Sequence, residues 1–140
     1  MVQRTDLPKR YFHGTSIIRE ESIDRDGLGA PSVYHIEQRY TCDPDAVYLS
    51  DKFLAAVIFG MGLTNHLLVY EVQQLPNDAQ IERDPAGELE HMPGRSFKVI
   101  THKRIRPVRK CLVHIPSGCN TTTLINATTS KTFSKNWEAL

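Results

Sequence analysis

Apolar residues along this chain fall into short runs broken by turn formers, and few of the runs reach helical length. His66 to Val72 (HLLVYEV) is the densest in branched and aromatic side chains and precedes the turn formers Pro76, Asn77 and Asp78, so it predicts a central strand. Ala46-Val47-Tyr48-Leu49 predicts a second short strand. Ser50 then stands as the N-cap of a helix from Asp51 to about Gly60, on which Phe53, Val57 and Gly60 share a face. Upstream, Arg10-Tyr11-Phe12-His13 predicts a short strand running into a turn at Gly14-Thr15-Ser16. Ile17, Ile18, Ser22 and Ile23 next fit a short helix, which Asp26-Gly27-Leu28-Gly29 stops. Arg95 to Ile100 and Ile105 to Val113 complete the strand candidates, separated by the polar Thr101-His102-Lys103.

Strands outnumber helices, which predicts an α+β fold with a curved, mostly antiparallel sheet. Residues 29–46 show no clean period and carry Pro31 and Pro44, so they read as a long loop and a candidate lid. The tail from Pro116 is rich in Thr, Ser and Asn and reads as a poorly packed extension that Trp137 can dock. The expected organisation is a folded domain over 1–115 and a polar extension over 116–140, with no internal repeat.

Composition narrows the setting. At 140 residues one core is the default, and 17 basic against 16 acidic side chains leave a net charge of +1, so any electrostatic message is local. No apolar leader and no membrane-spanning run is present, which makes a soluble, cytoplasmic and monomeric protein the expectation. Cys42, Cys111 and Cys119 lack Cys-x-x-Cys spacing and read as reduced thiols rather than metal ligands. The sequons at Asn120 and Asn126 carry little weight without a secretory route. Lys98, Lys103, Arg104, Arg106, Arg109 and Lys110 form a stretch without an acid. Such a run reads first as a solvated face, and otherwise as a grip for a pyrophosphate or a nucleic acid.

The chemistry gathers at strand ends. His13-Gly14-Thr15 closes one predicted strand and Tyr48-Leu49-Ser50 another, and the helix after Ser50 contains Ala55 and Ala56. These blocks resemble the His-Gly-Thr and Tyr-Leu-Thr/Ser blocks of ADP-ribosyltransferases. Three further segments resemble the downstream ones of the rifampicin ADP-ribosyltransferase family, a group of compact single-domain NAD enzymes: Leu67-Leu68-Val69-Tyr70-Glu71-Val72, Ile81-Glu82-Arg83-Asp84-Pro85, and Met92-Pro93-Gly94 with Arg95-Ser96-Phe97. The similarity runs from Tyr11 to Arg109 and implies a small ADP-ribosyltransferase-like fold, with curved sheets and few short helices around an NAD cleft. By that resemblance His13 holds the ribose hydroxyls of NAD, backbone groups of Gly14 grip the nicotinamide carboxamide, Tyr48 stacks on the nicotinamide ring and Asp84 is the catalytic acid residue. Thr15, Ser50 and Phe59 join the implied NAD-binding set.

Elementary chemistry asks for the same residue types. Cleaving a nicotinamide–ribose bond passes through an oxocarbenium-like ribosyl cation, which a nearby carboxylate stabilises. Asp84 supplies one, with Glu82, Glu88 and Glu90 as rivals close in sequence; no metal is required. The expected function is mono-ADP-ribosylation with NAD as substrate and a hydroxyl of a small molecule, such as a rifamycin antibiotic, as acceptor. A protein or nucleic-acid acceptor, as in toxins and phage or defence proteins, is the alternative, as is a catalytically silent NAD or ADP-ribose binding module. RNA 2′-phosphotransfer is a minor option. His13 as a turn residue, Tyr48 as core filler and Asp84-Pro85 as a plain turn are the bland readings that geometry has to answer.

Overall fold

The computed structural model describes residues 6–30, 43–61, 66–84, 94–115 and 136–140. Their elements run β1 (Tyr11–Ser16), a 3-10 turn (Ile17–Arg19), α1 (Glu20–Asp26), β2 (Val47–Ser50), α2 (Phe53–Met61), β3 (His66–Val72), β4 (Gln80–Arg83), β5 (Ser96–Ile100), β6 (Arg109–His114) and β7 (Trp137–Ala139). The strands form one antiparallel sheet of seven in the order β4-β5-β2-β1-β3-β6-β7. This is a small α+β architecture with two short helices, and no helix among the described residues is long and apolar enough to cross a membrane.

β3 is the spine. From Leu67 to Val72 every residue is buried, because β1 and β6 flank it and both of its faces are covered. Alternation sorts side chains between two cores. On one face Tyr11, Leu49, Tyr70, Val72, Phe97 and Val99 pack against Ile23 of α1 and against Leu28 and Ile105. On the other, Phe12, Leu67, Val69, Cys111 and Val113 pack against Leu54, Ala56 and Val57 of α2. We call these the α1 face and the α2 face.

Several sequence expectations hold: the strand over 66–72, the stop of α1 at Gly27 with φ 87°, and a buried Val57 and Gly60 on the helix after Ser50. Others need correction. Gly14-Thr15-Ser16 is not a turn but the second half of β1, because β3 pairs with it residue by residue as far as Ser16. Ser50 does not cap α2. Its hydroxyl accepts from the Lys52 N–H at 3.3 Å in a local turn, and the helix begins at Phe53. Asp51, expected at the helix start, is bound instead by the Arg95 N–H at 2.6 Å and its Nε at 3.1 Å, which ties the β2–α2 turn to β5. Ile105 lies outside β6, making a two-bond bridge with Leu28 (2.7 and 2.9 Å), and the strand starts at Arg109 because Pro107 interrupts the run. Of the expected loose tail, Trp137–Ala139 is a paired strand whose indole packs on Phe12 and Phe53. The basic stretch is not a bare solvated face either. Lys98 pairs with Asp43 (2.9 Å), Arg109 with Glu71 (2.9 Å) and Lys110 with Glu20 (3.1 Å) and Asp24, all acids from distant segments. Most of the candidate lid lies at 31–42, outside the described residues, as do Cys42 and Cys119; Cys111 is buried in the α2-face core.

Candidate functional site

The sheet has a seam. β1 and β2 share a single pairing, Phe12 with Ser50, whereas β1 and β3 pair along their whole length. Beyond Phe12 a side chain replaces the ladder: His13 Nδ1 lies 2.9 Å from the Tyr48 carbonyl oxygen. A carbonyl can only accept, so Nδ1 carries the hydrogen and Nε2 of the neutral ring is left as an acceptor. Burial holds the His13 pKa below its ordinary value; the bond to Tyr48 works against this, and the positive charge of Arg19 adds to it. His13 is therefore neutral at pH 7, with a defined tautomer.

On one side of the seam lies a polar surface. β2, β5 and β4 turn Val47, Leu49, Phe97, Val99 and Ile81 into the α1-face core, so the residues between them project to the α2 face. Register aligns these in two cross-strand rows. One is Tyr48, Lys98 and Glu82. The other is Ser50, Ser96 and Asp84, the last joined through its N–H to the Ser96 carbonyl at 2.8 Å. A phenol, an ammonium group and two carboxylates thus share a patch three strands wide, in which Ser50 and Ser96 are buried. α2 leaves the patch to one side because it packs on β1 and β3. What draws it there is Gly14: a Cβ at that position would stand 1.9 Å from the Ala56 carbonyl oxygen, so only glycine lets helix and strand approach this closely.

Within the patch Tyr48 is held at its tip, where the phenol oxygen accepts from the Asp43 N–H at 2.8 Å. The Asp43 carboxylate bonds Lys98 at 2.9 Å, and that bond is the main cause of the lowered pKa of Asp43 and the raised pKa of Lys98. Lys98 stands directly across from Tyr48 and from Glu82. Its charge thus neutralises one acid and neighbours another. Asp84 is half-buried at the end of β4, and its carboxylate makes no hydrogen bond or ion pair among the described residues.

The structure brings Tyr48, Ser50 and Asp84 onto the α2 face, with Gly14 beside them under α2; His13 does not join them, because it pairs with Tyr70 between Tyr11 and Thr15 and so alternates to the α1 face, meeting β2 only through the Tyr48 carbonyl. Asp84 is three strand spacings from β1, roughly 14 Å, so the patch spans the width of a nucleoside rather than a single functional group. Thr15 is buried on the α1 face opposite Leu68, Ser50 is buried with its hydroxyl donating to the Arg95 carbonyl at 3.2 Å, and Phe59 is exposed on α2. Of the rival acids, Glu82 lies in the row beside Asp84, while Glu88 and Glu90 fall outside the described residues. Two members of the patch escaped the sequence reading. Asp43 has no sequence signal, and Lys98 was grouped with the basic run, although the alternation of Phe97, Lys98 and Val99 marks it as facing away from the core. Among the described residues no group of three or more His, Cys, Asp or Glu converges as a metal site. No family model matches the chain, and neither a curated protein nor a solved structure does.

Proposed function

We propose that this chain is an NAD-dependent mono-ADP-ribosyltransferase with an ADP-ribosyltransferase-like fold, and that its acceptor is a hydroxyl of a small molecule of the rifamycin kind. One observation carries the reading: the neutral imidazole of His13 holds the seam through the Tyr48 carbonyl, and the adjoining strands carry the Tyr48 ring and an Asp84 carboxylate that makes no hydrogen bond or ion pair among the described residues. An Nε2 acceptor suits a ribose hydroxyl, which donates. The phenol ring of Tyr48 offers a flat partner for nicotinamide, and the Asp43 N–H fixes its tilt. Asp84 contributes negative charge where the glycosidic carbon becomes cationic. As the C–N bond breaks, its electron pair leaves with nicotinamide, and the resulting oxocarbenium ion is captured by the acceptor oxygen, whose proton passes to the carboxylate. All three groups are tied to the sheet, which favours a fixed geometry for departure.

The test is nicotinamide release from labelled NAD by the full chain, with rifampicin, protein lysate and nucleic acid offered separately. Release with label on rifampicin is expected, and Asp84→Ala should lower the rate by about 10²–10³ with the fold unchanged by circular dichroism. Label confined to protein or nucleic acid would replace the acceptor and keep the enzyme. NAD binding without release would reduce the chain to a binding module.

A further inference from the structure

The strand pairing that builds the patch also sets two imidazoles side by side elsewhere in the molecule. His66 opens β3 and His114 closes β6, directly opposite one another in register. Both are exposed, their ring centroids are 4.6 Å apart, and their Nδ1 atoms approach to 3.2 Å. Alternation from Tyr70 and Lys110 puts the pair on the α1 face, about 13 Å along the strands from the row that holds His13. The pair is therefore separate from the polar patch.

We infer that His66 and His114 form a two-ligand zinc site, in which both Nδ1 atoms chelate one Zn²⁺ and the remaining positions stay open to water or to a further ligand. Distance is the first reason. Two nitrogens bound tetrahedrally at 2.0–2.1 Å from zinc stand about 3.3 Å apart, and the unliganded pair already holds 3.2 Å. The second is rigidity, since the two residues belong to adjacent, fully paired strands and their Cα atoms need not move to accept an ion. The third is proton chemistry. At this separation one Nδ1–H donates and the other Nδ1 accepts, so moving a single proton to Nε2 of the same ring frees both lone pairs for a shared ion with no net release of protons. Imidazole suits zinc among the divalent ions, and exposure gives the ion a path in. Because no third His, Cys, Asp or Glu converges there among the described residues, affinity falls well short of a closed four-ligand site. The ion would staple the end of β3 to the end of β6, and the site takes no part in the transfer chemistry proposed above.

The experiment is a Zn²⁺ titration of the full chain, purified without a polyhistidine tag, against a chromophoric chelator. It is paired with imidazole nitrogen spectra and thermal melts. One equivalent should bind, the Nδ1 signals of His66 and His114 should shift together, and the melting temperature should rise with zinc. His66→Gln and His114→Gln should each abolish binding and the thermal shift while keeping the wild-type circular dichroism spectrum, and His102→Gln, an exposed histidine elsewhere, should leave both intact. Lowering the pH should release the ion, since imidazolium cannot coordinate. Binding that survives both Gln substitutions, or the absence of any Zn²⁺-induced shift at these two rings, would overturn the assignment.

Discussion

Tyr48 and His13 touch through a main-chain carbonyl, so each can be tested without dismantling the other. If the phenol ring stacks on nicotinamide, Tyr48→Phe keeps the ring and removes the acceptor of the Asp43 N–H, a cost of about 1–3 kcal/mol to local order. Tyr48→Ala removes the ring as well, and with it a stacking contribution of about 0.5–1.5 kcal/mol. Steady-state kinetics should show the Phe variant retaining most activity and the Ala variant raising KM for NAD by roughly 2- to 12-fold; equal losses in both would move the role from the ring to the hydroxyl. For His13 the test is pH. Its folded pKa lies below the ordinary 6.5, so between those two values the unfolded chain holds a proton that the folded chain lacks. Stability must therefore fall as pH drops through about 6.5, and level off below the folded value. Denaturant unfolding at pH 7.5 and 5 should show a smaller loss in His13→Asn than in the wild type, because Asn carries no proton to exchange.

At the scale of elements, the approach of α2 to β1 is the contact on which the open patch depends. A methyl group at Gly14 meets the backbone carbonyl of Ala56 at 1.9 Å, and a backbone carbonyl cannot swing aside as a side chain can. Gly14→Ala should therefore cost roughly 1–3 kcal/mol in urea unfolding, with α2 displaced from the sheet. Gly60→Ala should cost less, since its clash at 2.8 Å is with the terminal methyl of Leu67. That distinction could not be read from the sequence, in which both are glycines near apolar runs. What was legible came from local pattern: β3 from its branched and aromatic density, and α1's end from Gly27. β4 was missed because Gln80-Ile81-Glu82-Arg83 offers one apolar residue in four, and only its pairing with β5 makes it a strand. The Tyr48–Asp43–Lys98 contacts were illegible for a similar reason: Lys98 and Asp43 are 55 positions apart, and only register brings them together.

Across the whole molecule, the end of the chain is coupled to the spine of the sheet through one arginine. Glu71 on β3 is buried at 1% exposure and accepts both Nε and Nη2 of Arg109 at 2.9 Å, while the same guanidinium lies 4.2 Å from the centroid of Trp137 on β7. Arg109 lowers the Glu71 pKa, so this contribution to stability is present above the ordinary carboxylate value and is lost as pH falls through the folded one. Glu71→Gln leaves Arg109 without its charge partner. A buried pair broken in this way costs about 3–5 kcal/mol; Arg109 is a third exposed, which reduces the expectation to about 2–3 kcal/mol. Trp137→Ala removes the indole from Phe12 and Phe53 and uncovers the guanidinium, at a similar cost of about 2–3 kcal/mol because the indole is itself half-buried. The two losses should not add. With Trp137 gone, water reaches Arg109 and weakens its hold on Glu71, so the double variant should fall short of the sum by at least 0.5 kcal/mol. Urea unfolding of the four proteins at pH 7 measures that coupling. Strict additivity would mean that β7 is stapled on by its apolar contacts alone, and that the residues closing the sheet act independently of the ion pair in its middle.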